Sequence, residues 1–189
     1  MPTPSATPKY PRAGLVVLVL LILVPAAGLG AWRWWERARA GEFTADPHSC
    51  ELVTPQTIHR LVPTALGGRE DAGACTWAAP RVQGTYRSNV HLRPFRLTVD
   101  LAREDMREDR ADASGWETDT VEDVPGIGEE AFLRFRKTSP GDPVSAQLCF
   151  RRSNLVLWLT YARSDDDRQA ARAGAIDAAR EAAGRLRSG

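Results

Sequence analysis

The chain has 189 residues, 43% of them hydrophobic, and a formal net charge of +1. Five basic residues and one acidic residue lie in positions 1–40, which leaves 20 basic against 23 acidic in the remainder, a net of −3. That remainder lacks the basic footprint of a nucleic-acid binder, and with only 3 His and 3 Cys in the chain it lacks the paired close spacings of a zinc site.

Residues 1–12, MPTPSATPKYPR, are rich in Pro, Thr and Ser and too short to fold, so a disordered cytoplasmic tail is expected. Residues 13–31, AGLVVLVLLILVPAAGLGA, carry no charge. A bilayer core of roughly 30 Å takes about 20 apolar helical residues, which predicts one transmembrane helix over 13–32. Trp32, Trp34 and Trp35 follow at once and suit a membrane-interface anchor, with an apolar ring and a polar N–H. A cleaved signal peptide ending near Ala26-Ala27-Gly28 is the rival reading, but the apolar run is longer than a signal core and the Trp cluster favours an uncleaved signal-anchor. Basic residues flank the run on both sides and give no orientation. The short tail and the cysteines of the large C-terminal part point to an N-terminus in the cytoplasm and a C-terminal domain outside it.

A juxtamembrane linker is expected over 33–49, then an extracytoplasmic α+β domain over 50–187. Thr54 can cap a helix that has Pro55 at its first position and runs to about Val62. CTWAA, 75–79, reads as a short strand. Phe95, Leu97, Val99 and Leu101 alternate with polar residues, which predicts a strand over 95–101. REDMREDRAD, 103–112, reads as a solvated helix laced with ion pairs. Three more strands follow over 131–137, 144–152 and 154–163, with Ser153-Asn154 as the tight turn between the last two. LVLWLTY is apolar on both faces and should be central. From Ser164, as cap, a closing helix should bury Ala171, Ala175, Ile176, Ala179, Ala183 and Leu186. The expected fold is an antiparallel sheet of about five strands packed with an N-terminal and a long C-terminal helix.

Cys50 lies between His48 and His59, so a metal site, a catalytic Cys/His pair and a disulfide all come into question. No matching second pair supports a metal, and nothing in the sequence activates the thiol. In an oxidising space a structural disulfide from Cys50 to Cys75, closing a loop around the first helix, is the plainer expectation. Cys149 is then the odd cysteine, a buried free thiol on its strand. Gly126-x-Gly128 precedes Glu129-Glu130 and a strand, so it suits a loop with positive φ better than a phosphate cradle. Asp165-Asp166-Asp167 lacks calcium-loop spacing, and no nucleophile elbow occurs. His59 and His91 are the strongest candidates for a hidden site, against the plainer reading of surface or satisfied histidines.

Cys50-Glu51-Leu52-Val53-Thr54-Pro55, Cys75-Thr76-Trp77, VPGIGEEAF over 124–132 and the paired strands and Ala-rich helix over 145–187 together resemble a family. It is an actinobacterial group of small exported lipoproteins and membrane-anchored proteins, similar in outline to extracellular sensor domains of mycobacterial receptor kinases. The resemblance implies a sheet with packed helices and a ligand cleft, and it supports Cys50–Cys75 as a family disulfide. Many such proteins carry a lipidated cysteine where this chain has an apolar run, and residues 80–94 look like an insertion. No catalytic residue carries over. The expectation is a membrane-anchored, extracytoplasmic module of the cell envelope that binds a protein or small-molecule ligand, without catalytic, cofactor or metal residues. An envelope enzyme with an unrecognised site and a passive structural component are the alternatives.

Overall fold

The computed structural model describes residues 32–36, 39–80, 88–114, 121–136, 145–165 and 167–186. The chain divides into two compact units, Met1–Ala38 and Arg39–Gly189. Of the first unit, residues 32–36 form a helical turn in which Trp32, Trp34 and Trp35 are exposed. Among the described residues no helix is long and apolar enough to cross a membrane. The span expected over 13–32 lies, except for Trp32, outside them.

The second unit is α+β. A 3-10 turn, Ser49–Glu51, leads to helix α1, Pro55–Leu61. Thr54 caps α1 through its side chain, which accepts from the Thr57 N–H, and Pro55 takes the first helical position. Then come β1 (Gly68–Asp71), β2 (Ala74–Ala78), β3 (Asn89–Arg96), helix α2 (Val99–Ser114), β4 (Glu122–Asp123), β5 (Glu130–Arg136), β6 (Ser145–Arg152), β7 (Leu155–Ala162) and helix α3 (Arg168–Arg185). The strands form one sheet in the order β1-β2-β3-β7-β6-β5-β4, with every pairing antiparallel. β7 is central, as its apolar run predicts.

The sheet has seven strands rather than about five, and three local expectations are corrected. The strand expected over 95–101 ends at Arg96, and Val99–Leu101 open α2. Thr98 makes the break: its carbonyl accepts from the Ala102 N–H at 2.9 Å. Residues 89–94, taken for part of an insertion, are most of β3, fully paired to β7. Pro94 is tolerated there because β2 pairs with β3 only as far as Leu92, so the outer side of β3 at Pro94 is an edge. The cap of α3 is Asp167, not Ser164; the Asp167 carboxylate accepts from the Ala170 N–H at 2.9 Å. Ser164 instead donates its backbone N–H to the Ser88 hydroxyl at 2.9 Å.

The main core lies between one sheet face and α1 and α3. Leu148, Phe150, Leu157, Leu159 and Tyr161 pack there against an α3 face of small residues: Ala171, Gly174, Ala175, Ala178, Ala179 and Ala182. Gly174 faces the Tyr161 ring and Leu61, where a Cβ would lie 2.5 Å from a ring carbon. The second core lies under α2 on the opposite face and contains Ala102, Met106, Ala113, Phe132, Cys149 and Val156.

The folded unit starts at Arg39 rather than Cys50. The stretch 39–49, read as linker, is held because Phe43 is buried and Asn154 grips its backbone. Arg152 donates to Glu42 at 2.6 Å and to the Leu186 carbonyl at 3.1 Å. Cys50 and Cys75 are joined in a disulfide that ties the 3-10 turn to β2.

Candidate functional site

Successive residues of a strand face opposite sides. On the face that carries α2, Thr76, His91, Thr160, Gln147 and Arg134 stand in one cross-strand row over β2, β3, β7, β6 and β5. The neighbouring row toward α2 is Arg93, Trp158, Cys149 and Phe132. α2 buries Cys149 and Phe132 but stops short of the polar row. The uncovered half of the face, with α2 as its wall, is a groove of about 430 Å³, within the range of small-molecule sites.

The floor is organised from within. Thr76 Oγ1 and His91 Nδ1 are hydrogen-bonded at 2.9 Å. Burial, helped by Arg93, lowers the His91 pKa, so its imidazole is neutral at pH 7 and Nε2 is left for another partner. Arg134 donates from Nε to Gln147 Oε1 at 3.0 Å and stacks over Trp158 at 5.1 Å. The Trp158 ring meets Phe132 edge-on at 6.0 Å. Arg93 stacks over Phe95 at 4.7 Å. These stacks hold flat guanidinium groups in fixed planes.

The wall is acidic. Asp105 and Asp109 are four residues apart on α2 and both line the groove. Burial raises the Asp105 pKa. Burial, with repulsion from Asp105, pushes that of Asp109 up to about 6, and Arg134 opposes the shift. The arginines of α2 do not neutralise this pair. Arg103 lies 3.7 Å from Asp100, and Arg110 pairs with Asp123 at 2.5 Å. The ion-pair-laced helix expected from REDMREDRAD therefore has two of its acids turned to the groove without a hydrogen-bonded partner among the described residues.

A second depression, of about 550 Å³, lies on the other side of α2 against the 124–130 loop. Gly126 and Gly128 have positive φ there, 82° and 60°, as the sequence predicts for that loop. Its buried arginine is already paired. Arg151, 5% exposed, pairs with Glu129 at 2.8 Å and with Glu130, and it donates to the Ser153 carbonyl at 2.9 Å. This clamp fixes the β6–β7 turn and leaves little for a ligand.

Of the histidines and cysteines singled out in the sequence, only His91 reaches the groove. His59 is exposed on α1, and His48 precedes the 3-10 turn. Cys149 is buried beneath α2, where its thiol lies 3.2 Å from Met106 Sδ and burial raises its pKa. Among the described residues no group of three His, Cys, Asp or Glu could hold a metal ion. The rest of the groove was hidden in the sequence because its members are spread from Thr76 to Thr160 on six elements.

No family model, curated protein or solved structure matches this chain. Function is therefore read from the groove itself.

Proposed function

We propose that the chain is a membrane-tethered extracytoplasmic binding module, anchored by the apolar segment 13–32, with the groove as its ligand site. One observation carries this reading: a row of half-exposed polar side chains, four of them paired by internal hydrogen bonds, retains open hydrogen-bonding capacity along a concave face. A sheet face with only a structural role would be covered or solvated without such convergence. The passive-component reading leaves that arrangement without a purpose. The likeness to receptor sensor domains and the exposed tryptophans next to the apolar segment agree with a tethered module.

The test is nuclear magnetic resonance on the full chain in detergent micelles, titrated with amino acids, short peptides, neutral sugars and phosphates at millimolar concentration. Binding should shift the amides of His91, Gln147 and Thr160, and Arg134→Ala should weaken it about tenfold, because Gln147 and Trp158 lose the group that positions them. Saturable binding that leaves these amides unmoved would assign the ligand elsewhere. No binding by any class would end the binding-module reading. Turnover of a bound compound that disappears in Asp109→Asn would replace it with an enzyme.

A further inference from the structure

The groove holds charges of both signs that its own residues do not neutralise. On the α2 wall, Asp105 and Asp109 repel one another and have no ion pair or hydrogen bond among the described residues. On the sheet, Arg93 and Arg136 are exposed at opposite ends of the floor; among the described residues neither has an acidic partner, and Arg93 stacks on Phe95. Arg134, the one floor cation felt by Asp109, is already committed to Gln147 and Trp158. A neutral ligand would leave both sets unpaired as it desolvated them, which is costly for half-buried charges. An anion alone would meet the acidic wall, and a cation alone the arginines.

We infer that the groove takes a zwitterionic ligand, its ammonium group against Asp105 and Asp109 and its carboxylate or phosphate on the arginines of the floor. This rests on the groove being the ligand site. Scale sets the size of that ligand. β3 and β5 are separated by β7 and β6, three inter-strand steps of about 4.8 Å, and the register sets Arg136 four residues along from the Arg93 row, so the two arginines stand about 20 Å apart across the floor. A short peptide, at up to 3.3–3.6 Å per residue, holds its ammonium and carboxylate further apart than a free amino acid does, and its carboxylate engages one of the two arginines at a time.

The experiment titrates the full chain in micelles with trialanine, with N-acetyl-trialanine, with trialanine amide and with maltose as a neutral control. Trialanine should bind with shifts at His91 and Thr160, and acetylation or amidation should each weaken it about tenfold or more. Asp105→Asn with Asp109→Asn should abolish the preference over the acetylated form only. Arg93→Gln with Arg136→Gln should abolish the preference over the amide only. Each pair also controls for the folding of the other. Equal affinity for trialanine and its capped forms, or binding of maltose alone, would overturn the zwitterion while leaving the groove as a site. Binding of none of the four would overturn the zwitterion as well, and the broader ligand titration then decides the fate of the groove itself.

Discussion

Asn154 is 1% exposed and uses its whole amide: Oδ1 accepts from the Phe43 N–H at 2.9 Å, and Nδ2 donates to the carbonyls of Phe43 at 2.9 Å and Leu97 at 3.2 Å. Asn154→Ala would leave three backbone groups without partners and should lower stability by about 2–4 kcal/mol, measured by urea unfolding. In the sequence Asn154 reads only as a turn residue; its partners are 111 and 57 positions away, and no local pattern carries that. Asp109 has the opposite effect. Its pKa is raised from 3.8 to about 6, so the native state holds a proton that the unfolded chain has lost, and stability falls as pH rises through that window. The full shift is worth about 3 kcal/mol at 1.36 kcal/mol per unit, and solvent screening of a half-exposed carboxyl reduces this to about 1 kcal/mol. The groups facing it are Asp105, Glu108, Asp112 and Arg134. Asp109→Asn should therefore stabilise the protein by about 1 kcal/mol at pH 7.5 and by nothing at pH 3.5; an equal gain at both pH values would remove the titration as the cause.

At the scale of elements, helix α3 shows both what periodicity reveals and what it misses. Ala171, Ala175, Ala179 and Leu186 are buried as the spacing predicts, but Ile176 and Ala183 lie at the margin, while Gly174, Ala178 and Ala182 are buried instead. The face is turned because Gly174 admits the Tyr161 ring, whose hydroxyl donates to the Leu61 carbonyl at 2.8 Å. Gly174→Ala favours the isolated helix, yet it must push a buried ring. We expect a net loss of about 1–3 kcal/mol from overpacking, checked by thermal unfolding; a gain would mean that the ring moves freely. β7 was legible because it is apolar on both faces. β3 was not, since Pro94 interrupts it and its groove-side residues are His91, Arg93 and Phe95, which suggest no buried strand. The α+β class thus followed from the strongest elements, and the groove was missed along with β3.

For the whole molecule, the disulfide is the most direct handle on place and stability together. Cys50 and Cys75 are 25 residues apart, and closing a loop of that length stabilises by about 3.5 kcal/mol in the chain-entropy picture. Cys50→Ser with Cys75→Ser should lower the unfolding free energy by about that amount. Thiol trapping in intact cells should find this pair oxidised and Cys149 reactive only after denaturation. A pair found reduced in cells would argue against the proposed extracytoplasmic location. Arg152 carries a consequence of another kind. One guanidinium holds Glu42, near the start of the folded unit, and the Leu186 carbonyl, near its end. A pull between the two ends of the folded unit would load this side chain together with the Ser153 and Asn154 contacts to Glu42 and Phe43, at the β6–β7 turn, before it loaded the rest of the sheet. The groove lies off that line of force. Were the domain tethered as proposed, these contacts at the turn end of the sheet would take the strain ahead of the groove.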